Sequence, residues 1–355
     1  MSTRPNPPST GPIRAGHALD VDSLTGYLAA AIPGFRGPVE VVQFEGGQSN
    51  PTFFVRDANA QGYVLRKKPS GVLLPSAHLV EREYRVLTAL RETAVPVPRT
   101  RLLCEDASVI GTPFYVMDYV EGRIFRDPTL PTVAQADRAL LYDAMNDTIA
   151  RIHGVDYASV GLGDYGKPAN YLARQVTRWT QQYLAARARP IDPMDWLSTW
   201  LTERLPAEAA ATITHGDYRM DNLVFHPTEP RVIAVLDWEL STLGNPIADF
   251  AYGCLAYYLP NGVGPLVGLA GSDLAELAIP TEAEYVAAYA QRTGRAQVSD
   301  WEFYIAFGLF RVASIVEGVR ARAEKGTGSS ASGAMLGQMT ELLAETGRTV
   351  ARRAG

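Results

Sequence analysis

The chain has 355 residues, 46% of them hydrophobic and 20% charged, which supports a real core and is long enough for two lobes. A net charge of −5 speaks against a nucleic-acid partner, and no apolar run approaches the ~18 residues of a membrane span. The two cysteines, Cys104 and Cys254, stand in no metal-like spacing and read as free thiols of a reducing cytoplasm.

The opening MSTRPNPPSTGPIRAGHALD has Pro, Ser and Thr where a signal peptide needs an apolar stretch, so residues 1–18 are expected to be a disordered leader. Asp20 to Ala31 predicts a short capped helix. VEVVQF, FFVRD and GYVLRKK then form a β-meander whose first turn, GGQSNPT, is loaded with Gly, Ser and Asn. From His78 to Leu90 the pattern is helical, with Glu83, Leu87 and Leu90 on one face. TPFYVMDYVEG reads as a buried strand leaving through a turn. Residues 19–122 therefore predict a β-rich first lobe. After Gly122 the segments 133–153, 170–187, 193–204, 281–292 and 301–324 are helical in pattern, so residues 123–355 predict a mostly helical second lobe and an α+β fold. The stretch GTGSSASGA at 326–334 is expected to be a surface loop.

The segment HGDYRMDNLVFHPTEPRVIAVLDWE, His215 to Glu239, interrupts those helices. LVF after Asn222 and the apolar run Val232 to Leu236 predict a hairpin turning through Pro227 and Pro230, which would bring Asn222 and Asp237 close together. An amide and a carboxylate at one hairpin mouth are hard oxygen ligands suited to Mg²⁺, which keeps several waters and takes further ligands from phosphates. Asp217 lies on the loop entering the hairpin, five residues before Asn222.

D-x-x-x-x-N followed by a strand-borne Asp resembles the catalytic loop and metal-binding Asp of protein-kinase-like phosphotransferases. HGD in place of HRD, and DWE in place of DFG, are typical of the aminoglycoside-phosphotransferase-like family of small-molecule kinases. The resemblance implies a bilobal protein-kinase-like fold and Mg-ATP-dependent transfer to a small-molecule alcohol. It makes Asp217 the base and Asn222 and Asp237 the Mg²⁺ ligands, with His215 supporting the loop. Arg219 would contact the transferred phosphoryl group or brace the loop. Asp249, in NPIADFAY, would anchor the loop.

Other kinase parts follow in order. The turn of Gly46, Gly47, Gln48, Ser49 and Asn50 would cradle phosphates through backbone N–H groups. On YVLRKK, Val64 would face the adenine and Arg66 would replace the usual lysine, with Lys68 as its rival for the phosphates. Glu83 would pair with Arg66, while Glu81 points elsewhere. Met117 would line the adenine pocket, and Asp118, Tyr119 and Val120 would offer backbone groups to the base.

Long blocks, among them YVLRKKPSG, VEGRIFRDP and FRVASIVEGVRAR, are similar to the kinase-like domain fused ahead of acyl-CoA dehydrogenases in animals. That implies a hydroxyacyl-CoA acceptor, with an aminoglycoside or another small alcohol as the alternative and a non-catalytic nucleotide-binding scaffold as the third reading. Arg311 and Arg320 are first choices for CoA phosphates, and Arg123 is a further acceptor-site candidate. Oligomeric state and the choice between ATP and GTP stay open.

Overall fold

The structure is a computed structural model that describes residues 7, 9–45, 50–69, 79–261, 267–324 and 333–354. It divides into two compact units, the first made of Met1–Gly122 with Ile233–Glu239, the second of Arg123–Val232 with Leu240–Gly355.

The first unit is built on one antiparallel sheet. Its strands are β1 (Thr10–Gly11), β2 (Glu40–Phe44), β3 (Thr52–Arg56), β4 (Gly62–Lys67), β5 (Thr100–Cys104) and β6 (Phe114–Asp118), in the order β1-β2-β3-β4-β6-β5. Helix α1 (Val21–Ala31) starts where the Asp20 carboxylate accepts the Ser23 N–H at 2.9 Å, and it buries Leu24 and Leu28 in a core shared with Phe53, Leu65, Phe114 and Val116. Helix α2 (Val80–Leu90) buries Val80, Glu83, Val86, Leu87 and Leu90, a stripe at helical spacing, and packs on β5 and β6. The sheet register sets Arg66 opposite Tyr115 and Val64 opposite Met117. This pairing carries the Arg66 side chain to the α2 face.

Within the stretch expected to be disordered, Thr10 and Gly11 form β1 at the edge of this sheet. Thr10 and Gly11 pair with Phe44 and Gln43, and the Arg14 N–H donates to the Gln43 side chain at 2.9 Å. The reason is the free edge of β2, whose unpaired N–H and C=O groups take up the passing chain.

The second unit begins with α3 (Gln135–His153), α4 (Tyr171–Ala186) and α5 (Asp192–Glu203). Next come β7 (Thr212–Thr214) and β8 (Leu223–Phe225), after which the His226 N–H donates to the Arg231 carbonyl at 2.9 Å; β9 (Val232–Val235) then leads into the Ile233–Glu239 segment of the first unit. Strand β10 (Thr242–Gly244) pairs with β7, and α6 (Pro246–Cys254) follows at once. The Asn245 side chain accepts the N–H groups of Ile247 and Ala248, and Pro246 occupies the first helical turn, so the start of α6 is fixed locally. The unit closes with α7 (Leu274–Leu277), α8 (Glu282–Arg292), α9 (Trp301–Glu324) and α10 (Gly333–Ala351). Helix α9 is buried along most of its length against α4, α6 and α10. Most of the 326–334 stretch, expected to be a surface loop, lies outside the described residues; α10 begins at Gly333.

Candidate active site

In the first unit the site is a buried charge cluster around Arg66. Its guanidinium lies 2.9 Å from Glu83, 3.1 Å from Asp237 and 3.7 Å from Glu239. Burial pushes the Arg66 pKa down, but Glu83, Tyr115, Asp237 and Glu239 more than reverse that, so the cation is held. Glu83 also accepts hydrogen bonds from the Asn50 amide at 2.9 Å and the Tyr115 hydroxyl at 3.0 Å. Burial nevertheless pushes its carboxyl pKa up against the pull of Arg66. Asp237 is fastened to this unit through its neighbours: the Val235 N–H donates to the Pro96 carbonyl and the Trp238 indole to the Val235 carbonyl, both at 2.9 Å.

The other expected residues of this unit are placed as follows. Lys68 falls beyond the end of β4 and pairs with Glu81 at 2.9 Å, so Arg66 is the partner of Glu83. Gly46, Gly47, Gln48 and Ser49 lie outside the described residues, and the buried Asn50 turns its side chain to Glu83. Val64 and Met117 are buried cross-strand neighbours. The N–H groups of Asp118 and Tyr119 donate to the carbonyls of Arg99 and Gly62, at 2.8 and 3.1 Å, and the Asp118 carboxylate binds Arg101. Val120 follows directly, two residues before the unit ends at Gly122.

In the second unit the site is the loop after β7. His215 is fully buried, and the N–H groups of His215 and Gly216 donate to the two carboxylate oxygens of Asp249, each at 2.7 Å. Gly216 has a φ of +84°, and a Cβ there would sit 2.7 Å from the Leu240 carbonyl oxygen, so glycine is required on both counts. The Arg311 guanidinium donates to the Gly216 carbonyl at 2.6 Å. Asp249 is itself bonded by the His153 Nε2 at 3.1 Å, and His153 Nδ1 meets the Tyr289 hydroxyl at 2.7 Å. Burial pushes the Asp249 carboxyl pKa up, but the bond and charge of His153, with His215 and the Gly216 N–H, bring it below the usual range.

This brace presents Asp217, whose side chain is 19% exposed. The Asn222 amide N–H₂ donates to the Asp217 carbonyl at 2.8 Å and to Oδ2 at 3.0 Å, while Arg219 Nε stands 3.3 Å from Oδ1. Arg219 also reaches Asp221 at 3.1 Å, and burial pushes the Asp221 carboxyl pKa up. Asp237, in the other unit, binds Arg66 through Oδ1 and is 37% exposed. Among the described residues no group of three or more His, Cys, Asp or Glu side chains is set to hold a metal. A carboxylate and an amide oxygen are each, by their chemistry, suited to a hard cation that draws further ligands from phosphate and water.

Three arginines expected at the acceptor are committed elsewhere. Arg311 is buried, bonded to Gly216 and packed over the rings of Tyr252 and Trp179. Arg320 is bound by Glu317 and Glu324, at 2.7 and 2.5 Å. Arg123 donates to the carbonyls of His226 and Glu229, at 2.8 and 3.0 Å, and so ties its own loop. In each case a guanidinium near buried backbone or carboxylate oxygens satisfies them first. The sequence reading missed Tyr252, whose ring lies under the Arg311 guanidinium, and His153, which bonds Asp249. For Tyr252 a signal existed: it stands three residues after Asp249, on the same face of α6.

A sheet unit carrying a buried Arg–Glu pair and a helical unit carrying a braced D-x-x-x-x-N loop define a phosphotransferase of protein-kinase-like α+β fold. Residues 40–307 match the phosphotransferase enzyme family (APH), and the chain belongs to that family. It is 48% identical over 349 residues to mouse acyl-CoA dehydrogenase family member 10, covering 98% of this chain and 33% of that protein. With rat acyl-CoA dehydrogenase family member 11 it shares 43% identity over 343 residues, 95% of this chain and 44% of that protein. The chain thus spans a third to under a half of these curated relatives. A solved structure from Ralstonia eutropha, named provisionally as an aminoglycoside phosphotransferase, is 48% identical with a TM-score of 0.85, covering 95% of this chain and 99% of that one.

Proposed function

We propose that the protein transfers the γ-phosphoryl group of ATP, with Mg²⁺, to the hydroxyl of a small molecule, and that the acceptor is a hydroxyacyl-CoA. The observation that carries the transfer chemistry is the Asp217 carboxylate, partly exposed yet held by Asn222 and Arg219 on a loop braced by Asp249. In this reading Asp217 accepts or orients the hydroxyl proton, and Arg219 stabilises charge developing on the transferred group. Arg66, kept charged by its carboxylates, neutralises the α/β-phosphates. Asn222 and Asp237 supply oxygen ligands to Mg²⁺, which when bound neutralises phosphate charge. The Gly46–Asn50 segment is assigned to the phosphates, and Val64, Met117 and residues 118–120 to the adenine. Catalysis by such a site is positioning and charge neutralisation, because the transferred group is nearly metaphosphate-like.

The acyl-CoA acceptor is supported by the relatives' names, since both matched proteins are acyl-CoA dehydrogenase family members. An aminoglycoside acceptor is the second reading, favoured by the name of the Ralstonia structure. A scaffold without turnover is disfavoured by an Asp217, Asn222 and Asp237 set with no member replaced. The proposed setting is a reducing cytoplasm, on the two free, buried cysteines, with neither nucleic acid nor membrane as partner. Among the described residues no helix is long and apolar enough to cross a membrane. The test is an assay of purified protein with 4-hydroxyacyl-CoAs of several chain lengths beside kanamycin, choline and homoserine, following ADP release and product mass. ADP release with a phosphorylated acyl-CoA is the expected result; kanamycin turnover with inert acyl-CoAs would discard the acceptor and keep the transfer chemistry.

A further inference from the structure

The peptide that joins Gly216 to Asp217 is met by a buried side chain on each side. Arg311, on α9, donates to the Gly216 carbonyl at 2.6 Å, and the Asp217 N–H donates to His215 Nδ1 at 3.2 Å. The neighbouring peptides have other holders: Asp249 accepts the N–H groups of His215 and Gly216, and the Asn222 amide donates to the Asp217 carbonyl at 2.8 Å. The Gly216–Asp217 peptide is thus left to Arg311 and His215. It needs holding, because a glycine at φ +84° lacks the Cβ that would resist rotation of the next peptide plane. A half-turn of that plane would exchange the carbonyl for the N–H and re-aim the Asp217 side chain.

The surroundings of Arg311 suit this task and no ion pair. Its guanidinium lies 4.5 Å from the centre of the Tyr252 ring, on α6, and 5.3 Å from that of Trp179, on α4, within cation–π range of both. Among the described residues no carboxylate pairs with it, and its buried Nε meets no acceptor. A buried cation without a counter-ion is costly to keep, while a planar group gripped between two rings has a fixed direction. We propose that Arg311 is a positioning residue for Asp217: with His215 it clamps the Gly216–Asp217 peptide from both sides, and so fixes the direction in which the Asp217 carboxylate leaves the loop. The inference rests on the reading of Asp217 as the base. An arginine that merely fills the space between the rings would change stability and leave the rate of the folded protein as it is.

Arg311→Met keeps an apolar stem between the rings and removes the donor. With Mg-ATP and a 4-hydroxyacyl-CoA as probes, kcat per folded molecule should fall roughly 10- to 100-fold, the scale of one hydrogen bond from a charged group. The KM for ATP should stay within about twofold, since no nucleotide contact is removed. Arg311→Lys returns a charged N–H donor without the planar stacking, so it should recover kcat to within about fivefold of wild type while its Tm stays lowered. A wild-type kcat in Arg311→Met, or an Arg311→Lys no faster than Arg311→Met, overturns the proposal. Should Arg311→Met not fold, nitrogen-15 spectra of the wild-type histidine side chains carry the test: His215 as the Nε2–H tautomer supports the clamp, and a proton on Nδ1 overturns it. Should the wild type phosphorylate no acceptor, the phosphotransferase reading fails on its own. Crystal structures of wild type and Arg311→Met then decide the role of Arg311: a turned Gly216–Asp217 peptide supports it, and a superimposable one overturns it.

Discussion

Arg66 and Asp237 are joined through two N–H groups of one guanidinium, at 3.1 and 3.2 Å, to a single carboxylate oxygen. The same guanidinium holds Glu83 at 2.9 Å, so one cation is shared by carboxylates from α2 and from the Asp237 segment. Removing one partner of such a cluster strands the rest. Glu83→Ala should destabilise the protein by about 3 kcal/mol, the low end for a broken buried pair, because Arg66 keeps Asp237 while Asn50 and Tyr115 lose their acceptor. Glu83→Gln, which retains an acceptor oxygen, should cost less. Urea denaturation of the two variants beside wild type measures both, and equal losses would put the effect down to the carboxylate charge rather than to the retained acceptor or packing.

Asp217→Asn keeps the shape of the side chain and removes its basicity. Phosphoryl transfer should fall at least ~100-fold, the usual scale for a positioned general base, with Mg-ATP affinity and melting temperature nearly unchanged. Steady-state kinetics and calorimetric titration on the same preparation check this. Retained turnover in a correctly folded variant would remove Asp217 from its assigned role.

Asp237→Ala should abolish the Mg²⁺-dependent part of nucleotide binding, since Asp237 is the charged member of the proposed ligand pair. Titrations with ATP in the presence and absence of Mg²⁺ give the comparison. A magnesium enhancement that survives the substitution would mean that the cation is held elsewhere.

Asp249 connects pH to stability. Its pKa in the folded protein lies below the unfolded value, so the stabilisation it brings is fully present above about pH 4 and is lost as pH falls through the folded value. Asp249→Asn should be less stable by roughly 3 kcal/mol at pH 7, from the broken buried His153 pair and the weakened hold on the His215 and Gly216 N–H groups. That gap should narrow as pH falls below about 4, where the unfolded chain takes up the proton first and the folded carboxylate follows at lower pH. Denaturant unfolding from pH 7 to pH 3 reads it directly, and a gap independent of pH would contradict the assignment.

Arg66 and Glu83 were legible because each sits in an element with a clear period. Alternation along β4 puts Arg66 on the face of Val64, and spacings of four and three put Glu83 with Leu87 and Leu90 on α2. Lys68 stayed open as a rival because alternation alone does not mark that β4 ends at Lys67. Arg311 and Arg320 misled for another reason: a charge on a buried helix face and one on a solvated face look alike until the packing of α9 is known. The short strands β1, β7 and β10, two or three residues each, are too brief to carry a period at all. Tyr252 shares a helix face with Asp249, but its contact with Arg311 depends on how α6 packs against α9, which is a tertiary fact.

Asp237 has a φ of +64°, in the left-handed region that β-branched and long side chains avoid. Asparagine tolerates that backbone but carries no charge; glutamate carries the charge without the short side chain that eases the conformation. Aspartate is the one common residue that meets both demands. A survey of all substitutions at 237 should therefore separate into two failures: asparagine and glycine folding well but inactive, glutamate and alanine paying in stability as well.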